Sequence, residues 1–182
     1  MKNRIILITG PKHSGKSSCA LALGKISGGE ALDLDELVKK QTGKSPRELY
    51  TEGPEIFKKA EAAALAAIIQ TAEKDFHRNQ KPLIVATGGG LIDNPEALSF
   101  LSKRRDMRIV YLDLPPETAW QRIIKAGGEL PPFLNTENPE ETHRTLHERR
   151  AASYKSLAHL CIPAEDKTPA EIAGEIAKHY KH

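Results

Sequence analysis

Ile5-Ile6-Leu7-Ile8-Thr9-Gly10-Pro11-Lys12-His13-Ser14-Gly15-Lys16-Ser17 is the stretch that decides the fold. An apolar run enters a loop bounded by two glycines, and Lys16-Ser17 opens a helical pattern. Gly10, Gly15, Lys16 and Ser17 fill every fixed position of G-x-x-x-x-G-K-[ST], the phosphate-binding P-loop. The spacing has a physical basis. The glycines let the backbone wrap a phosphate without a Cβ clash. Free N–H groups and the positive helix end then point at the anion. Lys16 is expected to reach the β- and γ-phosphates of a nucleotide, and the Ser17 hydroxyl to ligate Mg²⁺. Gly10, His13, Ser14, Gly15, Lys16, Ser17 and Ser18 form the candidate nucleotide-binding set. The stretch predicts a nucleotide-binding α/β protein.

The rest of the composition fits that reading. A chain of 182 residues is long enough for one α/β domain and short for two, so residues 1–182 are read as one domain. A hydrophobic share of 39% and a charged share of 28% suit solvated helices round a real core. The net charge of +3 is too small to point to nucleic acid, although it would favour an anionic substrate. The basic run Lys103-Arg104-Arg105 is read as solvating a helix end. Cys19 and Cys161 form no ligand spacing and are expected to be free buried thiols of a reduced, cytoplasmic protein. No targeting segment and no apolar run of membrane-spanning length is read, and a monomer is expected.

Strand and helix signals alternate outward from the loop. Ala20, Leu21 and Leu23 give the first helix an apolar face, and Ser27-Gly28-Gly29 stops it. Ala31-Leu32 then leads into Asp33-Leu34-Asp35, where extended alternation would place both aspartates on one face. A helix is expected from Leu37-Val38 to Thr42-Gly43, and Ser45-Pro46-Arg47-Glu48 is a capping box that starts another. Pro54 opens the longest helix, with Phe57, Glu61, Ala64, Leu65, Ile68 and Ile69 on one side. A strand at Leu83 to Thr87 ends in Gly88-Gly89-Gly90, which invites close backbone approach to a ligand. Asn94-Pro95-Glu96 caps a helix, and Arg108 to Leu112 reads as a fourth strand. Pro115-Pro116-Glu117 begins a helix with Trp120, Ile123 and Ile124 inward.

Residues 127–138 lack helical pattern and are read as a lid over the site. Asn138-Pro139 restarts helix, carrying Leu146, Arg150 and Tyr154 on one side. Leu160-Cys161-Ile162 is a last strand, and Thr168-Pro169-Ala170-Glu171 caps a closing helix with Ile172, Ile176 and Tyr180 inward. The expected fold is a parallel five-stranded sheet with helices on both faces. The P-loop, the two aspartates and the three glycines would then meet at strand carboxyl ends, where such sheets bind ligands.

Several motifs in this order resemble shikimate kinase, a small P-loop kinase of the nucleoside-monophosphate-kinase fold. They are Asp33-Leu34-Asp35, Glu52-Gly53-x-Glu55-x-Phe57-Lys58-x-x-Glu61, Ala86-Thr87-Gly88-Gly89-Gly90 and Arg150-x-x-x-Tyr154. The resemblance runs from the P-loop to Tyr154 and implies an ATP- and Mg²⁺-dependent transfer to the 3-hydroxyl of shikimate, in aromatic amino acid biosynthesis. It implies a substrate-binding region over about residues 33–62. It further implies that Asp33 touches the metal and that Asp35 binds substrate hydroxyls and accepts the proton. Gly88, Gly89, Gly90 and Glu61 would contact or orient the substrate, Arg150 and Lys58 would face its carboxylate, and Arg122 would lie against adenine.

Three departures stand out. Lys58 replaces the family's arginine, exchanging a planar fork for a point charge. The lid stretch Leu130-Pro131-Pro132-Phe133-Leu134 lacks the family's arginine, and Lys125 is not aligned with it. Ala152-Ser153-Tyr154 stands in place of Pro-Leu-Tyr. Lys58 and the lid also suit another small hydroxy acid, gluconate-like, as acceptor. The missing lid cation suits a catalytically weak nucleotide-binding module with a regulatory role.

Overall fold

Apolar alternation in the strands feeds two cores, one on each side of a single sheet. The structure, a computed structural model, describes residues 5–79, 81–102 and 104–180. Strands β1 (Ile5–Thr9), β2 (Glu30–Asp33), β3 (Leu83–Ala86), β4 (Met107–Asp113) and β5 (Leu160–Pro163) pair in the order β2-β3-β1-β4-β5. Every pairing is parallel, with Ile5 opposite both Leu83 and Met107. Ile5, Leu7, Leu83, Val85, Met107 and Ile109 point to one face, and Ile6, Ile8, Ile84, Ala86, Val110 and Leu112 to the other. The expected five-stranded parallel sheet is therefore present.

Helices α1 (Lys16–Ser27) and α8 (Pro169–Tyr180) pack together over the second face through Cys19, Leu23, Ile172 and Ile176. The first face carries α2 (Leu34–Thr42), α3 (Pro46–Glu52), α4 (Pro54–Asn79) and α5 (Pro95–Ser102), whose core side chains include Val38, Leu49, Leu65 and Ala97. Helices α6 (Pro116–Ala126) and α7 (Pro139–Leu157) flank the segment 127–138, which contains one 3₁₀ turn, Pro132–Leu134. Leu134 is fully buried and pins that turn.

Four expectations need correcting. The strand β2 ends at Asp33, and α2 starts at Leu34 instead of Leu37. Asp33 is the N-cap and Asp35 lies in the first helical turn, so helix entry and not strand alternation brings the two carboxyls together. Leu21 and Ile124 are exposed, because each sits beside the apolar stripe of its helix while Leu23 and Ile123 occupy it. Cys161 is exposed on the edge strand β5, where its neighbour Ile162 takes the inward position; Cys19 is buried as expected. Of the basic run, Lys103 lies outside the described residues, and Arg104 pairs with Asp106 at 2.8 Å. Among the described residues no helix is long and apolar enough to cross a membrane.

Candidate active site

A cleft of about 560 Å³ opens where the loops after β1, β2 and β3 converge. Its floor is the P-loop. Gly10 has φ 155°, and a Cβ there would lie 2.8 Å from the Leu112 carbonyl and 2.9 Å from Ser14 Oγ. Gly15, the residue before α1, has φ 89°, so the turn that aims the helix start at the cleft needs glycine twice. His13 adopts φ 60° without that freedom, a conformation that non-glycine residues take at a cost and that clusters at ligand-binding loops. Ser14 Oγ is buried without a hydrogen-bond partner. Lys12, His13, Lys16 and Ser17 reach the cleft wall, while Ser18 is exposed on α1.

Lys16 Nζ donates to the Pro11 carbonyl at 2.7 Å. Burial pulls its pKa down to about 8, against the attraction of Asp35 and Asp33, so desolvation outweighs the two carboxylates. Ser17 Oγ donates to Asp33 Oδ2 at 2.5 Å. The other Asp33 oxygen accepts the backbone N–H of Asp35 at 3.0 Å and of Glu36 at 3.4 Å. This cap fixes where the first turn of α2 presents Asp35. Asp35 Oδ1 is buried and has no partner, and burial followed by Asp33 raises its pKa.

Glu61 faces the same point from α4. It is 1% exposed. Its Oε2 accepts from Asn94 Nδ2 at 2.9 Å, and its Oε1 has no partner. Burial raises its pKa to about 7, only partly offset by the Asn94 bond. A Cβ on Gly88 would sit 3.2 Å from both Asp35 Oδ1 and Glu61 Oε1. Glycine at 88 therefore leaves two unused carboxyl oxygens facing one small space. The neighbouring glycines serve different ends. A Cβ on Gly89 would meet the Gly10 carbonyl at 3.1 Å, so Gly89 makes room for the P-loop itself. A Cβ on Gly90 would meet Arg150 Nη2 at 3.3 Å.

Arg150 enters from α7. Its Nε donates to Asp93 Oδ2 at 2.8 Å, and Arg149 takes the other Asp93 oxygen at 2.8 Å. That pairing leaves Nη2 beside Gly90 and places the guanidinium carbon 5.3 Å above the Phe133 ring of the lid. Lys58 is not brought to the cleft wall. Its ammonium pairs with Glu55 at 2.8 Å on the surface of α4, since a flexible point charge takes the nearest carboxylate one turn away. Arg122 lies behind the P-loop, donating to the carbonyls of His13 at 3.2 Å and Glu165 at 2.9 Å.

The cleft also contains residues that no sequence motif marks. Asn94, a helix cap by sequence, does cap α5, accepting from Ala97 N–H at 3.2 Å. Its amide also donates to the Lys58 carbonyl at 2.8 Å and to Glu61, so one side chain fixes the carboxyl orientation. His143 and His147, an i, i+4 pair on α7, line the cleft beside Trp120 with ring centroids 5.5 Å apart. Burial lowers both pKa values, that of His143 to about 4, and His147 Nε2 hydrogen-bonds with the Leu114 carbonyl at 2.8 Å. Their i, i+4 spacing was the available signal, but their inward direction depends on how α7 packs on α6.

The fit to a magnesium nucleotide follows from the donor set. Ser17 and Asp33 offer two adjacent hard oxygens, and among the described residues no cluster of three His, Cys, Asp or Glu could cage a metal. Mg²⁺ bound mostly by phosphates and water needs only one or two protein oxygens. The glycine-lined cradle and the buried, unpartnered Ser14 hydroxyl suit a polyphosphate.

The shikimate kinase family model matches residues 12–181. A shikimate kinase of Caldanaerobacter subterraneus subsp. tengcongensis is 32% identical over 181 residues, covering 99% of this chain and 96% of that one. A solved shikimate kinase from Acinetobacter baumannii, in complex with shikimate, superposes with a TM-score of 0.80 at 29% identity, covering 97% and 92% of the two chains. A gluconokinase from Sinorhizobium meliloti, at 17% identity and a TM-score of 0.60 over 98% and 92%, shares the fold alone. With the family model spanning nearly the whole chain and the cleft geometry in place, this chain belongs to the shikimate kinase family.

Proposed function

We propose that this protein transfers the γ-phosphoryl group of ATP, with Mg²⁺, to the 3-hydroxyl of shikimate. The observation that carries this reading is the meeting of two unpartnered carboxyl oxygens, Asp35 Oδ1 and Glu61 Oε1, at Gly88 within the cleft floored by the P-loop. A polyhydroxylated ring offers hydroxyl donors to such oxygens, and an Arg150 fork beside Gly90 suits its carboxylate.

In this reading Asp35 accepts the proton of the attacking hydroxyl, and burial strengthens it as a base. Glu61, held by Asn94, orients the same ring. Gly10, His13, Ser14, Gly15 and Ser18 frame the nucleotide phosphates, and Arg122 takes the adenine side. Ser17 and Asp33 would hold the Mg²⁺, which when bound neutralises charge on the phosphates. Lys16 leaves the Pro11 carbonyl to follow the transferring group, a short move for a side chain held by one hydrogen bond. Phosphoryl transfer demands mainly positioning and charge stabilisation, and the cleft supplies both. A cytoplasmic location belongs to the same proposal and rests on two unpaired thiols.

Release of ADP in the presence of shikimate, quinate, gluconate or water alone tests the acceptor. Shikimate should give the highest kcat/KM. Faster turnover with gluconate, or ADP release indifferent to any acceptor, would overturn the reading.

A further inference from the structure

The lid segment 127–138 contains no lysine, arginine or histidine and two glutamates, Glu129 and Glu137. A negatively charged flap over an anion-binding cleft needs a cation from elsewhere to hold it down. Arg47 of α3 supplies one. Its Nη1 donates to two successive lid carbonyls, those of Glu129 at 3.3 Å and Leu130 at 3.1 Å, and its Nη2 pairs with the Glu129 carboxylate. The capping box of Ser45 and Glu48 fixes the start of α3, and Ser45, Pro46 and Arg47 all line the cleft. A few residues along the lid, Phe133 packs edge-on against Tyr50 of α3 at 6.3 Å and lies beneath the Arg150 guanidinium.

We propose that Arg47 is a positioning residue which, by clasping Glu129 and Leu130, seats Phe133 against Tyr50 and Arg150 and so closes the acceptor side of the cleft. The clasp is suited to repeated opening. An exposed ion pair is weak by itself, and here both partners are largely solvated. The contacts give it direction, because Nη1 donates to both carbonyls while Nη2, fixed in the same plane, takes the carboxylate, whereas an ammonium's donors rotate freely about one point charge. This inference rests on the acceptor proposed above, so its test includes a readout that needs no acceptor.

Arg47→Ala should raise KM for shikimate about five- to twentyfold, while kcat and KM for ATP stay within about twofold. Glu129→Gln, which keeps both carbonyl bonds, should raise it less. Arg47→Lys should fall between wild type and alanine. In ligand-free protein, hydrogen exchange at the Leu134, Asn135 and Thr136 amides, which close the lid turn, should accelerate in Arg47→Ala. Two results would overturn the proposal: unchanged lid exchange with a shikimate KM within twofold of wild type, or a hundredfold fall in kcat at unchanged KM, which would make Arg47 a direct partner of the transferring group. If wild type itself does not turn over shikimate, the acceptor assignment fails, and the exchange experiment alone decides the role of Arg47.

Discussion

Two half-buried carboxyls two residues apart, Asp33 and Asp35, are assigned opposite jobs in the proposed mechanism, and their partners say which is which. Asp33 spends both oxygens, on Ser17 and on the N–H groups of Asp35 and Glu36, so it is an anchored acceptor. Of these two aspartates only Asp35 keeps an oxygen, Oδ1, without a partner, which is why the proposal gives it the proton of the attacking hydroxyl. Asp35→Asn should therefore retain nucleotide affinity and lose turnover by about 10²–10⁴-fold, the usual worth of general base catalysis, as steady-state kinetics would read. Asp33→Asn should instead raise the Mg²⁺ concentration for half-maximal rate, measured by metal titration. Lys16→Ala should abolish detectable turnover while the protein stays folded by circular dichroism, since no other cation on the P-loop is as buried beside the two aspartates.

Glu61 offers a test that does not depend on activity. Its folded pKa of about 7 lies above the ordinary 4.5, so the folded state binds more protons than the unfolded state between those values. Its stabilising share is thus complete below pH 4.5 and is lost as pH rises through 7. Glu61→Gln keeps a polar partner for Asn94 and removes the titration. The stability of the variant relative to wild type should rise between pH 5 and pH 8, read as the difference in urea midpoints. His143 works in the opposite sense, because its depressed pKa of about 4 costs stability as pH falls below 6.5. A pH-independent difference between Glu61→Gln and wild type would contradict the burial account.

At the scale of elements, the helix α3 ties cap chemistry to site geometry. Ser45 accepts from the Glu48 N–H, and the Glu48 carboxylate accepts from the Ser45 N–H at 2.7 Å. Ser45→Ala should cost about 0.5–2 kcal/mol in chemical denaturation, the usual worth of an N-cap, and should loosen the lid along with the helix. This cap was legible from Ser45-Pro46-Arg47-Glu48 because it is local, and so were the P-loop and the glycine run after β3. Other features were not. Asp33 and Asp35 come together through helix entry, while strand alternation would have predicted the same proximity for the wrong reason. The clasp of Arg47 on Glu129 spans 82 positions, and no local pattern announces it. The place of Lys58 in its motif implies a substrate carboxylate as partner, yet its ammonium pairs with Glu55 on its own helix. Local periodicity finds elements and caps; long-range side-chain choices emerge only when the elements pack.

The whole molecule converts sheet topology into function. The order β2-β3-β1-β4-β5 sets the carboxyl ends of β2 and β3 beside the P-loop, so Asp35, the glycines after β3 and the P-loop share one wall. Helices α4 and α7 then bring Glu61 and Arg150 from the far side, and the lid seats Phe133 beneath the Arg150 guanidinium. In the proposed reaction this wall directs phosphate to one hydroxyl of one acceptor. ³¹P NMR of a reaction containing the protein, ATP, Mg²⁺ and shikimate reads this regiochemistry. A new phosphomonoester resonance coupled to the proton on carbon 3, growing in step with ADP, is the predicted result. Inorganic phosphate as the sole new signal, or an ester on another hydroxyl, would mean that the cleft does not direct phosphate to the 3-hydroxyl.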